Sequence, residues 1–244
     1  MLDAETEVGA LEPRKAALRE YFGPGGFERW KAIYGTERVS FIRRSVREGH
    51  ATVVEQVLAW VDQTAQGRSL RILDAGCGPG VVSLALLRKG HQVVGCDLSE
   101  QMVEAARQRV ANEPEFIRQQ ATFIVSDMEN VGKAPAIVNS PRFDLAICLD
   151  VLLYYPEAEL GRILSHLIGL GPTRLIFTYA PASPVFKAMH WLGKRFPRTQ
   201  RATRLEIIGE PAVRRALNLN NRHLVQQRHI SKGFYHVVLA EAAL

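Results

Sequence analysis

The stretch Leu70-Arg71-Ile72-Leu73-Asp74-Ala75-Gly76-Cys77-Gly78-Pro79-Gly80 decides how the rest of the chain is read. Its first half is a short apolar run suited to a buried strand. Its second half is a glycine-rich turn that leads into the helix-like Val81–Arg88. Glycine at 76, 78 and 80 permits φ > 0 and lets a ligand approach backbone N–H groups that a Cβ would screen. Pro79 is expected in the first helical turn, for which its φ is already set. A strand, a tight turn and a helix N-terminus in that order favour a negatively charged or strongly polar group, because N–H donors and the helix dipole point outward there. The spacing is G-x-G-x-G, which differs from the G-x-G-x-x-G of dinucleotide phosphate binding.

Outward from this loop, the strand-like Gln92–Asp97 ends in an acid about 20 residues on, where such folds place a ribose-binding carboxylate. A third strand, Ala121–Ser126, runs into Asp127 and Met128. Three successive strand ends then present a glycine loop or an acid on one side of a sheet. This set resembles the S-adenosylmethionine (SAM) dependent methyltransferases of the Rossmann-like class. The resemblance implies that the glycine loop faces the methionine part of SAM, that Asp97 holds the ribose hydroxyls, and that Asp127 with Met128 reads the adenine. The cofactor set it implies is Asp74, Gly76, Gly78, Gly80, Asp97, Leu98, Asp127, Met128 and Leu149, with S-adenosylhomocysteine (SAH) as product.

The chain has 244 residues, enough for one large α/β domain with a sizeable core. Its 47% hydrophobic and 23% charged content is that of a globular protein. Thirty-one Lys and Arg against 25 Asp and Glu give +6, a mild excess compatible with an anionic substrate, an anionic membrane surface or nucleic acid. The 3 cysteines, Cys77, Cys96 and Cys148, lack C-x-x-C spacing and fall in or beside expected strands, so buried free thiols of a cytoplasmic protein are expected. No apolar run is long enough to span a bilayer, and the N-terminus lacks the order of a secretion signal. The 7 histidines show no H-x-x-x-H spacing, so no protein-bound metal is expected.

Helix and strand alternate from Gly67 onward, which predicts right-handed β-α-β crossovers and a parallel sheet. Ser99 suits the N-cap of a helix from Glu100. Phe143–Asp150 is apolar enough for a central strand, and the segment Asp150 to Tyr155 should lie at the ligand-bearing edge. Thr173–Ala180 reads as a fifth strand, and Leu224–Ile230 with Phe234–Ala240 as a closing antiparallel hairpin around Gly233. The fold expected is a Rossmann-like, doubly wound α/β domain with a seven-stranded sheet. Residues 1–66 form an N-terminal helical lid or arm and 67–244 the methyltransferase domain, with a cap insertion at about 182–218.

Within the arm, Lys15–Phe22 reads as a short helix, and Phe27, Trp30 and Tyr34 share helical spacing. They form either a packing stripe or a lid that brings the Tyr34 hydroxyl to the site. A longer helix, roughly Val39 to Asp62, carries Val46, His50, Val53, Val57 and Val61 on one stripe. His50 is there either as a core histidine or as a functional one. Arg43, Arg44 and Arg47 lie on another face, for which solvation is the default. In the cap, Ser183 and Pro184 open a helix, and Lys187, Lys194, Arg195, Arg198, Arg201 and Arg204 follow without one acid, a grouping suited to an anionic acceptor.

A closer resemblance rests on Tyr21-Phe22-x4-Phe27-Glu28-Arg29-Trp30-x3-Tyr34-Gly35, Gly49-His50-Ala51, Asp74–Gly80, Cys148-Leu149-Asp150-Val151-Leu152, Tyr155-Pro156, Ala180-Pro181 and Gly193-x2-Phe196-Pro197-x4-Ala202-Thr203-Arg204. These segments resemble the magnesium protoporphyrin IX O-methyltransferase family from Tyr21 to the C-terminus. The resemblance implies methyl transfer from SAM to a propionate of Mg-protoporphyrin IX, in bacteriochlorophyll or chlorophyll biosynthesis. It implies Tyr34, Tyr154 and His50 as catalytic candidates, and Lys187, Met189, Trp191, Arg201 and Arg204 at the porphyrin. The magnesium belongs to the substrate. Family members carry His where this chain has Tyr154, so an imidazole role there passes to a phenol that still donates a hydrogen bond. Handover from the magnesium chelatase large subunit and peripheral contact with the photosynthetic membrane are also implied. The rival readings are a SAM methyltransferase of a quinone or phenol and a non-catalytic SAM-binding protein. Asp150-Val151-Leu152-Leu153 stands where base-modifying relatives carry Asn/Asp-Pro-Pro-aromatic, so no nucleic-acid substrate is expected.

Overall fold

The computed structural model describes residues 14–23, 40–138, 140, 142–182 and 206–244. Seven strands form one sheet: β1 (Arg71–Ala75), β2 (Gln92–Asp97), β3 (Ala121–Val125), β4 (Leu145–Cys148), β5 (Arg174–Tyr179), β6 (His223–Lys232) and β7 (Tyr235–Ala243). Their order is β3-β2-β1-β4-β5-β7-β6. The first five are parallel, and β7 runs antiparallel between β5 and β6. The main helices are α1 (14–22), α2 (Phe41–Ala65), α3 (Val81–Arg88), α4 (Glu100–Ala111), α5 (Glu157–Gly169) and α6 (Glu210–Asn218).

Alternation along each strand sorts the core into two layers. Ile72, Leu145, Ile147, Ile176, Val237 and Leu239 face α2, α3 and α4. Their neighbours Leu73, Ala146, Cys148, Phe177, Val238 and Ala240 face α1, α5 and α6. Each of the larger side chains among them, Val, Leu, Ile or Phe, withdrawn from water, contributes roughly 1.5–3 kcal/mol before conformational entropy is set against it. All three cysteines are buried free thiols. The hairpin turns at Gly233, whose φ of 56° suits a residue without a Cβ.

The expected seven strands, their parallel crossovers and the closing antiparallel hairpin stand, with ends shifted by up to a few residues. Phe143–Asp150 narrows to β4, and the helix expected from Val39 to Asp62 runs Phe41–Ala65. The second helix of the expected arm, α2, buries Val53, Val57, Trp60 and Val61 against the sheet, so it is a covering helix of the main body. Likewise α6, counted within the cap, buries Ala212, Val213, Ala216 and Leu217 in the opposite layer. Both carry an apolar stripe, and a sheet with two apolar faces needs helices over each. Ser99 caps α4 as expected, accepting from the Met102 N–H at 3.3 Å.

Candidate active site

Because β3, β2, β1 and β4 are adjacent and parallel, their C-terminal tips bring Asp127, Asp97, Gly76 and Asp150 to one edge in that order. A cavity opens there. Gly76, Gly78, Asp97, Leu98, Asp127, Met128, Leu149 and Tyr154 all line it. So do Asp150, Val151 and Tyr155 of the segment expected at the ligand-bearing edge, together with Leu18 and Phe22 of α1 and Met102, which sequence reasoning did not place at the site. The Phe22 and Tyr154 rings meet edge to face, 5.4 Å between centroids.

The glycine loop works differently from the anion cradle its spacing suggests. The N–H groups of Gly76 and Cys77 donate to the Cys96 carbonyl at 2.8 and 2.9 Å, and that of Gly80 to the Cys77 carbonyl at 3.0 Å. The Gly78 N–H donates to Asp97 Oδ2 at 3.0 Å. The first turn of α3 is satisfied by Asp74, which accepts from the Ser83 hydroxyl at 2.6 Å and from the Ser83 amide. Gly80, not Pro79, precedes the first helical residue, with φ 74°. The glycines serve close approach instead. A Cβ on Gly76 would lie 2.2 Å from Val151 Cγ2, and one on Gly80 would lie 2.9 Å from Ala106 Cβ. At Gly78, with φ 52°, nothing stands within 4 Å of that position, so the apex of the loop is open.

Two residues of the expected cofactor set therefore lie off the cavity: Gly80 packs on α4, and Asp74 points to α3. Asp74 shares the α2–α4 side with Ile72 and sits within β1 opposite Gly95, two residues below the level of Asp97 at the cavity edge. His50 lines a second, smaller cavity behind the glycine loop, beside Asp74 and Cys77. Burial holds its imidazole below the usual range, against the pull of Asp150. The expected residues Tyr34, Lys187, Met189, Trp191, Arg201 and Arg204 lie outside the described residues, as do Phe27, Trp30 and the basic run of the cap.

The acids differ in environment. Burial pushes Asp97 up, although the Ser99, Gly78 and Leu98 amides pull the other way. Burial pushes Asp74 up to about 6, and Asp97 adds to the shift. Asp127 goes down: its burial is outweighed by hydrogen bonds from Asn130 and Lys15. Lys15 Nζ lies 3.1 Å from Asp127 Oδ2 and 3.0 Å from Glu129 Oε2. Carboxylates at the tips, apolar walls and a loop whose amides are spent suit a cationic ligand bearing hydroxyls, and disfavour a phosphate. The positively charged methionine end, ribose and adenine of SAM fit that donor set. Among the described residues no group of three or more His, Cys, Asp or Glu is disposed to hold a metal.

Comparison with known proteins agrees with this geometry. The description "Magnesium-protoporphyrin IX methyltransferase C-terminus" matches residues 148–243, and a general methyltransferase domain matches 72–170. The magnesium-protoporphyrin O-methyltransferase of Synechocystis is 35% identical over 93% of this chain and 95% of its own. Magnesium protoporphyrin IX methyltransferase of Arabidopsis thaliana is 33% identical over 99% of this chain and 74% of its own. The crystal structure of the Synechocystis PCC 6803 magnesium protoporphyrin IX methyltransferase with bound SAH superposes with a TM-score of 0.82. It is 33% identical and covers 94% of this chain and 99% of that one. Fold and site define a SAM-dependent methyltransferase of the Rossmann-like class. Within it, the chain belongs to the magnesium protoporphyrin IX methyltransferase family.

Proposed function

We propose a division of labour among these residues for the family's reaction, methyl transfer from SAM to a propionate carboxylate of Mg-protoporphyrin IX in chlorophyll biosynthesis. Asp97 receives the ribose hydroxyls; the observation that carries this is a carboxylate fixed between the Gly78 and Ser99 amides at the cavity wall. Asp127 and Met128 bound the adenine end, while Leu98, Met102 and Leu149 supply apolar walls. The open apex at Gly78 leaves room for the methionine end.

SAM supplies a methyl carbon on a positively charged sulfur. The acceptor carboxylate, with an ordinary pKa near ~4.3, is already anionic at neutral pH, so the chain need furnish no strong base. Its task is alignment of oxygen, carbon and sulfur, potentially worth roughly 7–11 kcal/mol, in a site that excludes water. Tyr154, at the wall, and Tyr34 are the orienting hydrogen-bond donors. His50 acts from behind the loop. Arg201, Arg204 and Lys187 anchor the second propionate, and Met189 and Trp191 cover the macrocycle.

The substrate comes from the magnesium chelatase large subunit, since the acceptor is the product of magnesium insertion. Contact with the membrane is peripheral, through the protein surface. Support for a surface contact is a rim where Phe41, Ile42 and Phe234 are exposed and Arg44 stacks on Phe41 at 5.6 Å.

The test is turnover of purified protein with SAM and Mg-protoporphyrin IX, read as product mass after chromatography, alone and with chelatase large subunit or anionic vesicles. A monomethyl ester is expected, with magnesium-free or dimethylated porphyrins reacting poorly and with faster turnover in the supplemented reactions. Turnover of a quinone in place of the porphyrin overturns the acceptor, and rates indifferent to both additions overturn the handover and the contact.

A further inference from the structure

We propose that Tyr235 is a positioning residue for methyl transfer, acting through Asp150 on the cavity wall. The inference rests on the methyl-transfer reading, and Tyr235 itself does not line the cavity.

Asp150 follows β4 with φ 56°, a left-handed conformation that side chains other than Asn and Asp rarely adopt. That conformation turns the chain so that Val151 packs on Gly76 and the short helical turn Leu152–Tyr154 brings Tyr154 to the cavity. Two side chains hold it. The Asp150 N–H donates to Thr178 Oγ1 at 2.7 Å, and the Thr178 hydroxyl lies 3.2 Å from Asp150 Oδ1. The Tyr235 hydroxyl sits across the carboxylate, 2.8 Å from Oδ1 and 2.9 Å from Oδ2.

Tyr235 is in turn fixed by α2. A Cβ on Gly49 would lie 2.2 Å from Tyr235 Cδ1, so the ring lies against bare helix backbone. One chain of contacts, Gly49 to Tyr235 to Asp150 to Val151 to Gly76, thus joins the covering helix and the hairpin to the glycine loop. A hydroxyl placed symmetrically on a carboxylate that borders the site, with room made for its ring by a glycine, fits the setting of a wall more closely than core packing requires.

The experiment compares Tyr235→Phe, Asp150→Ala and Asp150→Asn by turnover, by calorimetric SAM affinity, and by hydrogen exchange of residues 149–155. Tyr235→Phe is expected to lower kcat at least tenfold, change SAM affinity less than threefold and speed exchange in that segment. Asp150→Ala is expected to lose more. Asp150→Asn keeps a carbonyl acceptor for the phenol and tolerates positive φ, so its loss should be under a third of that of Asp150→Ala. A Tyr235→Phe protein with the parent's kcat and exchange overturns the proposal. So does an Asp150→Asn protein as impaired as Asp150→Ala, which assigns the effect to charge. If the parent itself fails to turn over the porphyrin, the acceptor assignment has failed, and exchange in 149–155 still decides the positioning role.

Discussion

Asp74 and Asp97 lie on neighbouring strands and on the same face of the sheet, and their height along the strands gives them different duties: Asp74 pairs with Gly95, two residues short of Asp97 at the tip. Asp97 faces the ligand edge; Asp74 faces α3 and satisfies its first turn through Ser83. The Asp74 carboxyl, raised by burial from 3.8 to about 6, binds its proton more tightly in the folded than in the unfolded chain. Its contribution to stability is therefore present at low pH and is lost as pH rises from the unfolded value through the folded one, by about 1 kcal/mol between ~5 and ~7. Urea unfolding at those two pH values should show the parent losing about that much more stability than Asp74→Asn; equal changes would remove the argument. At Asp97 the expectation concerns binding: Asp97→Ala should weaken SAM at least tenfold by calorimetry, about the strength of one hydrogen bond to a charged group. An unchanged affinity would take the ribose role from it.

The elements that frame the cavity differ in how they are held. Strands β1 to β5 are fixed by a shared ladder, whereas α1 is anchored by charge across more than a hundred residues of sequence. Lys15 is buried between Asp127 and Glu129, Glu129 also takes Arg162 at 2.8 Å, and Arg14 reaches Glu159 at 2.7 Å. Against burial, the hydrogen bonds that Lys15 donates to Glu129 and Asp127 hold its ammonium above its usual range. Lys15→Met leaves two acids without their shared cation. A stability loss of about 3 kcal/mol is expected from breaking such a buried set. Because Leu18 and Phe22 of the same helix wall the cavity, a several-fold weaker SAM affinity should accompany it. A variant that binds SAM like the parent would show that α1 covers the site without shaping it. The helix itself was legible in Lys15–Phe22; its ionic anchor was not, since nothing local marks Lys15 as buried.

For the molecule as a whole, a central parallel core flanked by one antiparallel pair implies graded protection. Hydrogen exchange should be slowest in β1, β4 and β5 and faster in the edge strands β3 and β6. Saturating SAM should slow the tips of β1 to β4 and α1 together, and SAM at about 100 times its Kd should add about 2.7 kcal/mol of stability. Uniform slowing, or slowing at the opposite edge, would displace the site. The parallel order was legible because each strand is a short apolar run followed by a helix with its own cap or glycine. That α2 and α6 cover the sheet was not legible, because each looks local in sequence and only the sheet shows what its apolar stripe packs on.

The sequence by itself determined the architecture and the position of the site: hydrophobic period and turn chemistry are local properties, and right-handed crossovers then force the tips carrying Gly76, Asp97 and Asp127 to one edge. Tertiary structure alone decided what those tips do. Whether a glycine faces open space, as Gly78 does at the cavity, or a neighbour, as Gly76 faces Val151 and Gly80 faces Ala106, depends on atoms tens of residues away. The same holds for the loop amides spent on Cys96 and for the phenol of Tyr235 on Asp150, 85 residues apart. Hydrogen bonds and close contacts at that separation are set by packing in three dimensions, and no local pattern encodes them.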